Sequence, residues 1–375
     1  MVITKLRGIT WDHPRGLDSL VASNELLKSS LGVSVSWDAR SLLAFGDQHI
    51  SEFYGDYDLM VIDHPHVPDA VNVGAVLDFE SIASEQQLHT LALTSVGQSH
   101  DSYIYRGKHW ALAIDTAAQV SAFRADKAEA APVFWSDVFE LARKKKLLWA
   151  YKPVDAFSTF ATLMAQKNAP LCQADEYIDS DSALETLTFM CELAGLVPEF
   201  CATSNPIDVA EILSTSDDYD YGICMYGYSN YSRNGFRKHL LTYDDLPSFD
   251  GRATGSQLGG AGIAVSSASG HIEKAAQAAI HLALPEIQAT HYGLNGGQPG
   301  NLVAWKNDAL NKATNNFFRN TLRSLEGAWV RPRVLGWPSV QFASSKIIHQ
   351  ALVNGTVTPK IISQIAATYQ ENVKE

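Results

Sequence analysis

The sequence predicts an α/β protein built from two lobes. Its 375 residues are long for one ordinary domain and suit two, each with a core of its own. Up to residue 115, short apolar runs such as "VSVSWD" and "DLMVIDH" alternate with stretches of helical period. That alternation is typical of βαβ units and a mainly parallel sheet. From residue 117 the pattern becomes richer in helices, and no flexible linker separates the two parts.

Composition and charge exclude several classes of function. Hydrophobic residues make up 46% of the chain and charged residues 19%, which is ordinary usage for a globular protein. The formal net charge of −12 argues against a nucleic-acid partner, because phosphate binding needs a concentrated basic face. The four cysteines lack the C-x-x-C spacing of a zinc or redox site. We therefore expect no nucleic-acid partner, no membrane insertion and no cofactor.

The first part of the chain predicts three polar loops at one edge of a sheet. Its strand-like runs are "KLRGITW", "VSVSWD", "DLMVIDH" and "HWALAID", and the segment between the first two has its leucines on one helical face. In parallel sheets, ligands bind beyond the carboxyl ends of the strands. The loops "TWDHPRG", "IDHPHVPD" and "IDTAAQ" follow such ends, and we expect them to converge. They carry eight candidate site residues: Trp11, Asp12, His13, Arg15, Asp63, His64, His66 and Asp115.

The second part predicts helices around a strand rich in tyrosine. Ser136 is placed to cap a helix over "WSDVFELARKKK", and a second helix ends at Gly195. "YGICMYGYSNYSR" and the glycine-rich "GSQLGGAGIAVSS" predict strands, and an alanine-rich helix follows from about Ile272 to Leu284. The tail predicts two more helices.

The order of these segments resembles the family 1 extracellular solute-binding proteins, the sugar and glycerol-phosphate receptors of ABC importers. The resemblance lies in seven blocks in the right order, among them "YGDYDLMVID", "RGKHWALAIDTAAQVSAFRAD", "FWSDVFELARK", "GICMYGYSN" and "GGAGIAVSSASGHIEKAAQAAIHL". Two details depart from the pattern: "LAID" replaces a proline-containing crossover, and Ala122 and Phe123 stand at the family's Tyr-Asn. The resemblance implies a type II periplasmic-binding-protein-like fold, with a hinge and an interlobe ligand cleft that closes on binding.

The resemblance also implies discontinuous lobes and further site residues. The first α/β lobe would comprise residues 1–116 and 258–304, and the second residues 117–257 and 305–375. Carried over by position, His64 and His66 fall at a first-lobe ligand contact. Tyr226, Tyr228 and Trp337 fall at second-lobe positions that stack on sugars. A monomer is implied, with a small-molecule ligand and, if the chain is exported, an ABC permease as partners.

The residue types suit recognition of a sugar or polyol. An aromatic face covers the C–H face of a sugar, and planar polar groups bind its hydroxyls. Besides the residues above, candidates are Tyr231 for stacking and Gln119, Asn230 and Arg233 for hydrogen bonding. The alternative for each aromatic is a place in the core. His13, His64 and His66 with Asp12 or Asp63 would suit zinc, but Pro65 constrains the H-x-H geometry, and we expect no metal.

Two functions follow from these observations. The first is a solute-binding protein that captures a carbohydrate or polyol derivative for an ABC importer, without chemistry. The alternative is a cytosolic stand-alone enzyme or sensor that uses the Asp and His residues for acid–base chemistry. The N-terminal "MVITKLRGIT" lacks an apolar segment of signal-peptide length. The first function therefore implies a periplasmic or cell-surface protein whose signal peptide has been removed, and the second a cytoplasmic one.

Overall fold

The computed structural model describes residues 3–173 and 176–373. Its strands are β1 (Thr4–Trp11), β2 (Val33–Arg40), β3 (Leu59–Ile62), β4 (Ile104–Tyr105), β5 (Lys108–His109), β6 (Leu112–Phe123), β7 (Leu147–Trp149), β8 (Tyr221–Tyr226), β9 (Thr242–Asp244) and β10 (Leu258–Val265).

Helices connect and cover these strands. They are α1 (Pro14–Ala22), α2 (Asn24–Leu31), α3 (Leu42–Asp47), α4 (Val67–Asn72), α5 (Phe79–Ile82), α6 (Glu85–Leu93), α7 (Trp135–Arg143), α8 (Pro153–Gln166), α9 (Ser180–Ala194), α10 (Pro206–Thr215), α11 (Ile272–Ala283), α12 (Pro285–Ile287), α13 (Leu302–Trp305), α14 (Asp308–Ala313), α15 (Phe317–Asn320), α16 (Leu322–Glu326), α17 (Trp337–Asn354) and α18 (Pro359–Asn372). The predicted alanine-rich helix is confirmed as α11, while α7 begins at Trp135, one residue before the predicted cap Ser136. No helix among the described residues has both the length and the apolarity needed to cross a membrane.

The chain divides into two compact units, each made of separate segments. Unit 1 comprises Met1–Thr116, Gly259–Ala313 and Arg333–Leu335, and unit 2 comprises Ala117–Leu258, Thr314–Pro332 and Gly336–Glu375. The sequence predicts that the chain passes from one lobe to the other at 116/117 and at 257/258, and the unit boundaries lie at 116/117 and 258/259. Unit 1 continues past the predicted residue 304 to Ala313. That the units act as lobes that close on a ligand stays a prediction.

The sheet of unit 1 is mixed. β1 pairs in parallel with β2 and β3, but β10 lies antiparallel to β3, and β6 is the next strand. The prediction of a mainly parallel sheet is therefore right for β1 to β3 and wrong for β10. Side chains of β3 alternate between two apolar clusters, with Leu59 and Val61 in one and Met60 and Ile62 in the other. Both faces of this strand are covered, which explains its unbroken apolar run.

Helices α1, α2 and α11 form part of one covering layer of unit 1. α1 has Pro14 at its first turn, a position that tolerates proline, and α2 ends at Gly32 in a left-handed conformation with φ 63°. α11 packs against α2, and small buried side chains such as Ala275 and Ala279 allow a close approach. The first turn of α1 carries the predicted polar loop, so this packing fixes where that loop lies.

Unit 2 combines a small sheet with a helical layer. β8 pairs in parallel with β7 and antiparallel with the second half of β6, which also pairs with β9. α17 packs against α8, α9 and α18. α8 is buried at every position from Asp155 to Met164, as expected of a helix surrounded by protein.

The structure corrects the predicted end of the fourth strand-like run. The sequence predicts a loop after "HWALAID", but β6 continues unbroken from Leu112 to Phe123. All but one of its residues are buried, and many of them are small or apolar. Asp115 therefore lies within a strand, and its carboxylate needs a partner inside unit 1.

Candidate functional site

The loop after β1 is held by a histidine cap. His13 has extended backbone dihedrals, and its Nδ1 accepts a hydrogen bond from the backbone N–H of Arg15 at 3.1 Å. This bond satisfies one of the free N–H groups at the start of α1. One ring nitrogen of His13 is thus committed to the cap, and the half-buried ring stays at the carboxyl end of β1.

Arg15 and Asp115 form a buried bidentate ion pair. Arg15 Nε donates to Asp115 Oδ2 at 2.8 Å, and Arg15 Nη2 donates to Asp115 Oδ1 at 2.5 Å. The two side chains are 6% and 1% exposed. Burial raises the pKa of Asp115, and the Arg15 guanidinium opposes that rise. The pair joins the loop after β1 to β6, so both side chains position the loop.

The loop after β3 lies beside this pair. Asp63 caps the short 3₁₀-helix His64–His66, since its Oδ1 accepts from the backbone N–H of His64 at 2.8 Å. The Asp63 charge also acts to raise the pKa of Asp115. β3 lies parallel beside β1, so the loops after these two strands leave the same edge of the sheet. The strand pairing and the Arg15–Asp115 ion pair together bring the three predicted segments to one edge of unit 1.

The two histidines that flank Pro65 lie in a 3₁₀-helix, His64–His66, and not in an extended segment. In a 3₁₀-helix, residues two apart point in different directions, so His64 and His66 do not share a face as they would in a strand. His64 is 1% exposed, its Nδ1 lies 3.2 Å from Asp63 Oδ1, and its ring meets that of Tyr103 edge-on at 6.2 Å. His66 is half-buried. The zinc arrangement considered from the sequence therefore lacks its H-x-H pair.

Trp11 and Asp12 occupy opposite environments. Trp11 is 4% exposed, its ring centroid lies 5.1 Å from that of Phe45, and a Cβ at position 16 would collide with its indole. Gly16 is thus required for this packing, and Trp11 is a core residue here, not the predicted platform. Asp12 is exposed, and its backbone N–H donates to the carbonyl of Arg40 at 2.7 Å.

In unit 2, Tyr226 is the most accessible of the predicted ligand-contact aromatics. It ends β8, is half-buried, and its hydroxyl accepts from Gln257 Nε2 at 2.6 Å. Tyr228 is 6% exposed and Tyr231 is 1% exposed. Tyr231 also donates to Glu211 Oε1 at 2.7 Å, which accounts for its buried hydroxyl.

Trp337 is placed in the core of unit 2, which corrects its predicted stacking role. Its side chain is fully buried, and its ring meets those of Phe157 and Tyr177 edge-on at 6.3 and 6.2 Å. Trp337 is the first residue of α17, directly after Gly336 with φ 89°. The turn at Gly336 starts a helix that packs on α8 and α9. As the first residue of that helix, Trp337 has its indole buried in the same layer.

Gln257 is a polar residue that the sequence did not single out. Its Nε2 donates to Tyr226 Oη and to Ser158 Oγ at 2.6 and 3.0 Å. Among the described residues, its buried Oε1 has no hydrogen-bond partner. An amide directly before the glycine-rich strand β10 gives no periodic signal, so only the fold reveals its link to Tyr226.

The fold is that of the two-lobe, maltose-binding-protein-like solute-binding proteins, which confirms the predicted fold class. No protein-family model and no curated protein matches the chain.

Three solved structures illustrate this likeness. Maltose-bound MalE3 from T. maritima has a TM-score of 0.80 at 18% identity, with 98% of this chain and 99% of that chain covered. A ribitol complex of an ABC transporter solute-binding protein from Agrobacterium radiobacter K84 has a TM-score of 0.77 at 14% identity, covering 99% and 98%. The GacH receptor of Streptomyces glaucescens, solved unliganded and with acarbose, has a TM-score of 0.81 at 11% identity, covering 99% and 98%.

Proposed function

We propose that this protein is a solute receptor of the ABC-importer type that binds a carbohydrate or polyol without chemical change. The observation that carries the proposal is the near-full-length agreement of fold with receptors solved with maltose, ribitol or acarbose. A shared fold can host many functions, so the side chains at the ends of the strands must also suit a sugar or polyol.

The side chains of unit 1 support this ligand class. His13, Asp63 and His66 are half-buried at the ends of β1 and β3, where ligands bind in sheets of this kind. Imidazole and carboxylate groups both bond sugar hydroxyls. The Arg15–Asp115 pair holds the loops at fixed positions, and such preorganisation lowers the entropic cost of binding. We propose His13, Asp63 and His66 as ligand contacts and Arg15 and Asp115 as their support.

In unit 2, Tyr226 is the proposed aromatic contact. Its hydroxyl is fixed by Gln257, and its ring is partly accessible. Because this hydrogen bond fixes the hydroxyl, the tyrosine ring offers a rigid apolar face with a polar edge, which suits a sugar. Tyr228 and Trp337, which are buried, are left out of the proposed contacts.

The enzyme alternative has less support from the same residues. His64, which lies 3.2 Å from the Asp63 carboxylate, is 1% exposed, and His13 uses Nδ1 for the helix cap. A general base needs to reach a proton of its substrate. The receptor is therefore the function that these side chains favour, acting as a monomer in the periplasm or at the cell surface and delivering its solute to a permease.

A ligand panel tests the proposal. Purified protein would be titrated by calorimetry and thermal shift with maltose, ribitol, acarbose, glycerol 3-phosphate and simple carboxylates. A ligand at a hundred times its Kd stabilises a protein by about 2.7 kcal/mol, which a thermal shift resolves. We expect at least one sugar or polyol to bind; stabilisation by none of them would refute the proposal.

Two tyrosines of one strand provide a matched test of the contact. We expect Tyr226→Ala to lower, by at least tenfold, the affinity for the ligand that the panel identifies. Tyr221→Ala, at the opposite end of β8 where the ring stacks on Phe123, should leave the affinity unchanged. Equal losses in both variants would indicate an effect on the strand, not a contact.

A further inference from the structure

Two histidines and an aspartate come together in unit 1, apart from the proposed ligand contacts. His100 and Asp101 lie where a 3₁₀-helix begins, and His109 lies on β5 of the β4–β5 hairpin. One ligand atom from each of the three residues lies within 4.8 Å of the other two. The centroids of the two imidazole rings lie 4.2 Å apart, and the ring planes are inclined to each other by 37°. Three side chains that commonly ligate metals thus face one small volume.

One nitrogen of each histidine in this cluster is buried without a hydrogen-bond partner among the described residues. Among the described residues, neither Nε2 of His100 nor Nε2 of His109 has a hydrogen bond, and both atoms are out of contact with solvent. His100 is 3% exposed as a whole residue. A buried polar atom without a partner costs about 1–3 kcal/mol. A cation bound by both nitrogens would remove that cost.

Glu80 orients His109 for such a role. Its Oε1 lies 2.7 Å from His109 Nδ1, and its Oε2 accepts from the backbone N–H of His109 at 3.0 Å. With Nδ1–H donating to the carboxylate, the lone pair of the ring lies on Nε2. The same carboxylate–histidine pairing fixes the tautomer and raises the basicity of histidines that bind metals.

Asp101 offers a third ligand whose side chain can change its orientation. Its side chain is exposed, so it can rotate toward the histidines without loss of packing. Arg333 interacts electrostatically with Asp101, and its positive charge would compete with a cation. The carboxylates of Asp101 and of Glu80, which contacts His109, oppose that effect.

We propose that His100, Asp101 and His109 form a binding site for one divalent transition-metal ion of the zinc class. Two imidazoles with one carboxylate suit Zn²⁺ and its neighbours, whereas Mg²⁺ and Ca²⁺ take oxygen ligands. Water would complete the tetrahedral set. Since His100 and Asp101 lie at the start of the 3₁₀-helix Asp101–Tyr103 and His109 lies on β5, the ion would tie that short helix to the hairpin and stabilise unit 1.

Zinc titration of the full chain tests the site. After treatment with a chelator, the wild type would be titrated with ZnCl₂ by calorimetry, with MgCl₂ as comparison, and its Co²⁺ complex recorded by visible absorption. We expect one equivalent of Zn²⁺, no response to Mg²⁺, and a Co²⁺ spectrum typical of tetrahedral coordination. Absence of a stoichiometric Zn²⁺ equivalent would overturn the proposal.

Variants locate the ion. His100→Gln and His109→Gln should each lower Zn²⁺ affinity at least tenfold and abolish the Co²⁺ band, whereas His89→Gln, an exposed histidine on α6, should do neither. A melt in chelator checks that each variant is folded. Should His100→Gln not fold, the exposed Asp101→Asn tests the same site alone. Unchanged Zn²⁺ binding in the folded cluster variants would place the ion elsewhere and refute the site.

Discussion

Replacing Arg15 by methionine is expected to destabilise the protein strongly. Methionine retains much of the length of arginine but carries no charge, so the Asp115 carboxylate would lose its partner. That carboxylate is 1% exposed, and water does not reach it to replace the guanidinium. Removing one partner of a buried ion pair typically costs 3–5 kcal/mol, because the other charge stays buried without compensation.

The two hydrogen bonds give a similar magnitude. Each is charge-assisted, at 2.8 and 2.5 Å, and a bond to a charged group contributes about 1.5–3 kcal/mol. We therefore expect Arg15→Met to lower the free energy of unfolding by about 4 kcal/mol. For a domain of this size, 1 kcal/mol shifts Tm by about 2–4 °C, so Tm should fall by roughly 10 °C.

Urea denaturation followed by circular dichroism measures the effect. Arg7→Met is the matched control, because Arg7 pairs with Asp38 on the surface, where the side chains are 57% and 50% exposed. Exposed pairs contribute about 0–1 kcal/mol. The double variant Arg15→Met/Asp115→Leu should recover much of the loss, since no buried charge remains. If Arg15→Met costs no more than Arg7→Met, the reasoning about this pair is wrong.

Two further predictions concern unit 2. Burial raises the pKa of Asp155 to about 8, so the folded protein binds this proton more tightly than the unfolded chain does. The resulting contribution to stability is fully present below the unfolded pKa near 4 and is lost as pH rises toward 8. Relative to Asp155→Asn, the wild type should therefore lose on the order of 4 kcal/mol between pH 4 and 7, measured as Tm against pH; parallel curves would contradict this. Trp337→Ala should lower unfolding stability by about 3–5 kcal/mol by leaving a core cavity, measured in urea, and a loss below 1 kcal/mol would favour an accessible tryptophan.

The sequence predicted the features that depend on local pattern. Alternating apolar runs indicated the strands of unit 1, and the polar residues after them indicated which loops converge. Apolar periodicity does not show where a buried strand ends, so Asp115 was expected in a loop. Pro65 indicated constrained geometry but not the 3₁₀-helix that separates the directions of His64 and His66.

Features that depend on packing could not be predicted. An aromatic at a helix start is compatible with a ligand face or with a core, and only the neighbours Phe157 and Tyr177 decide for Trp337. The pairing of His100 with His109 requires the β4–β5 hairpin, whose strands of two residues each are too short for a periodic signal. Gln257 reaches Tyr226 across 31 positions of sequence.

The order of strands in unit 1 has a consequence for biosynthesis. β10, which lies between β3 and β6 in the sheet, begins at Leu258 and is translated only after residues 117–257. At typical synthesis rates of about 5–20 residues per second, β3 waits roughly 10–40 s for this neighbour. During that time the nascent chain exposes an unpaired apolar strand edge, the kind of surface that chaperones shield. Unit 1 can therefore complete its sheet only after β10 has been made, and a chain that ends before residue 258 leaves that strand edge unpaired.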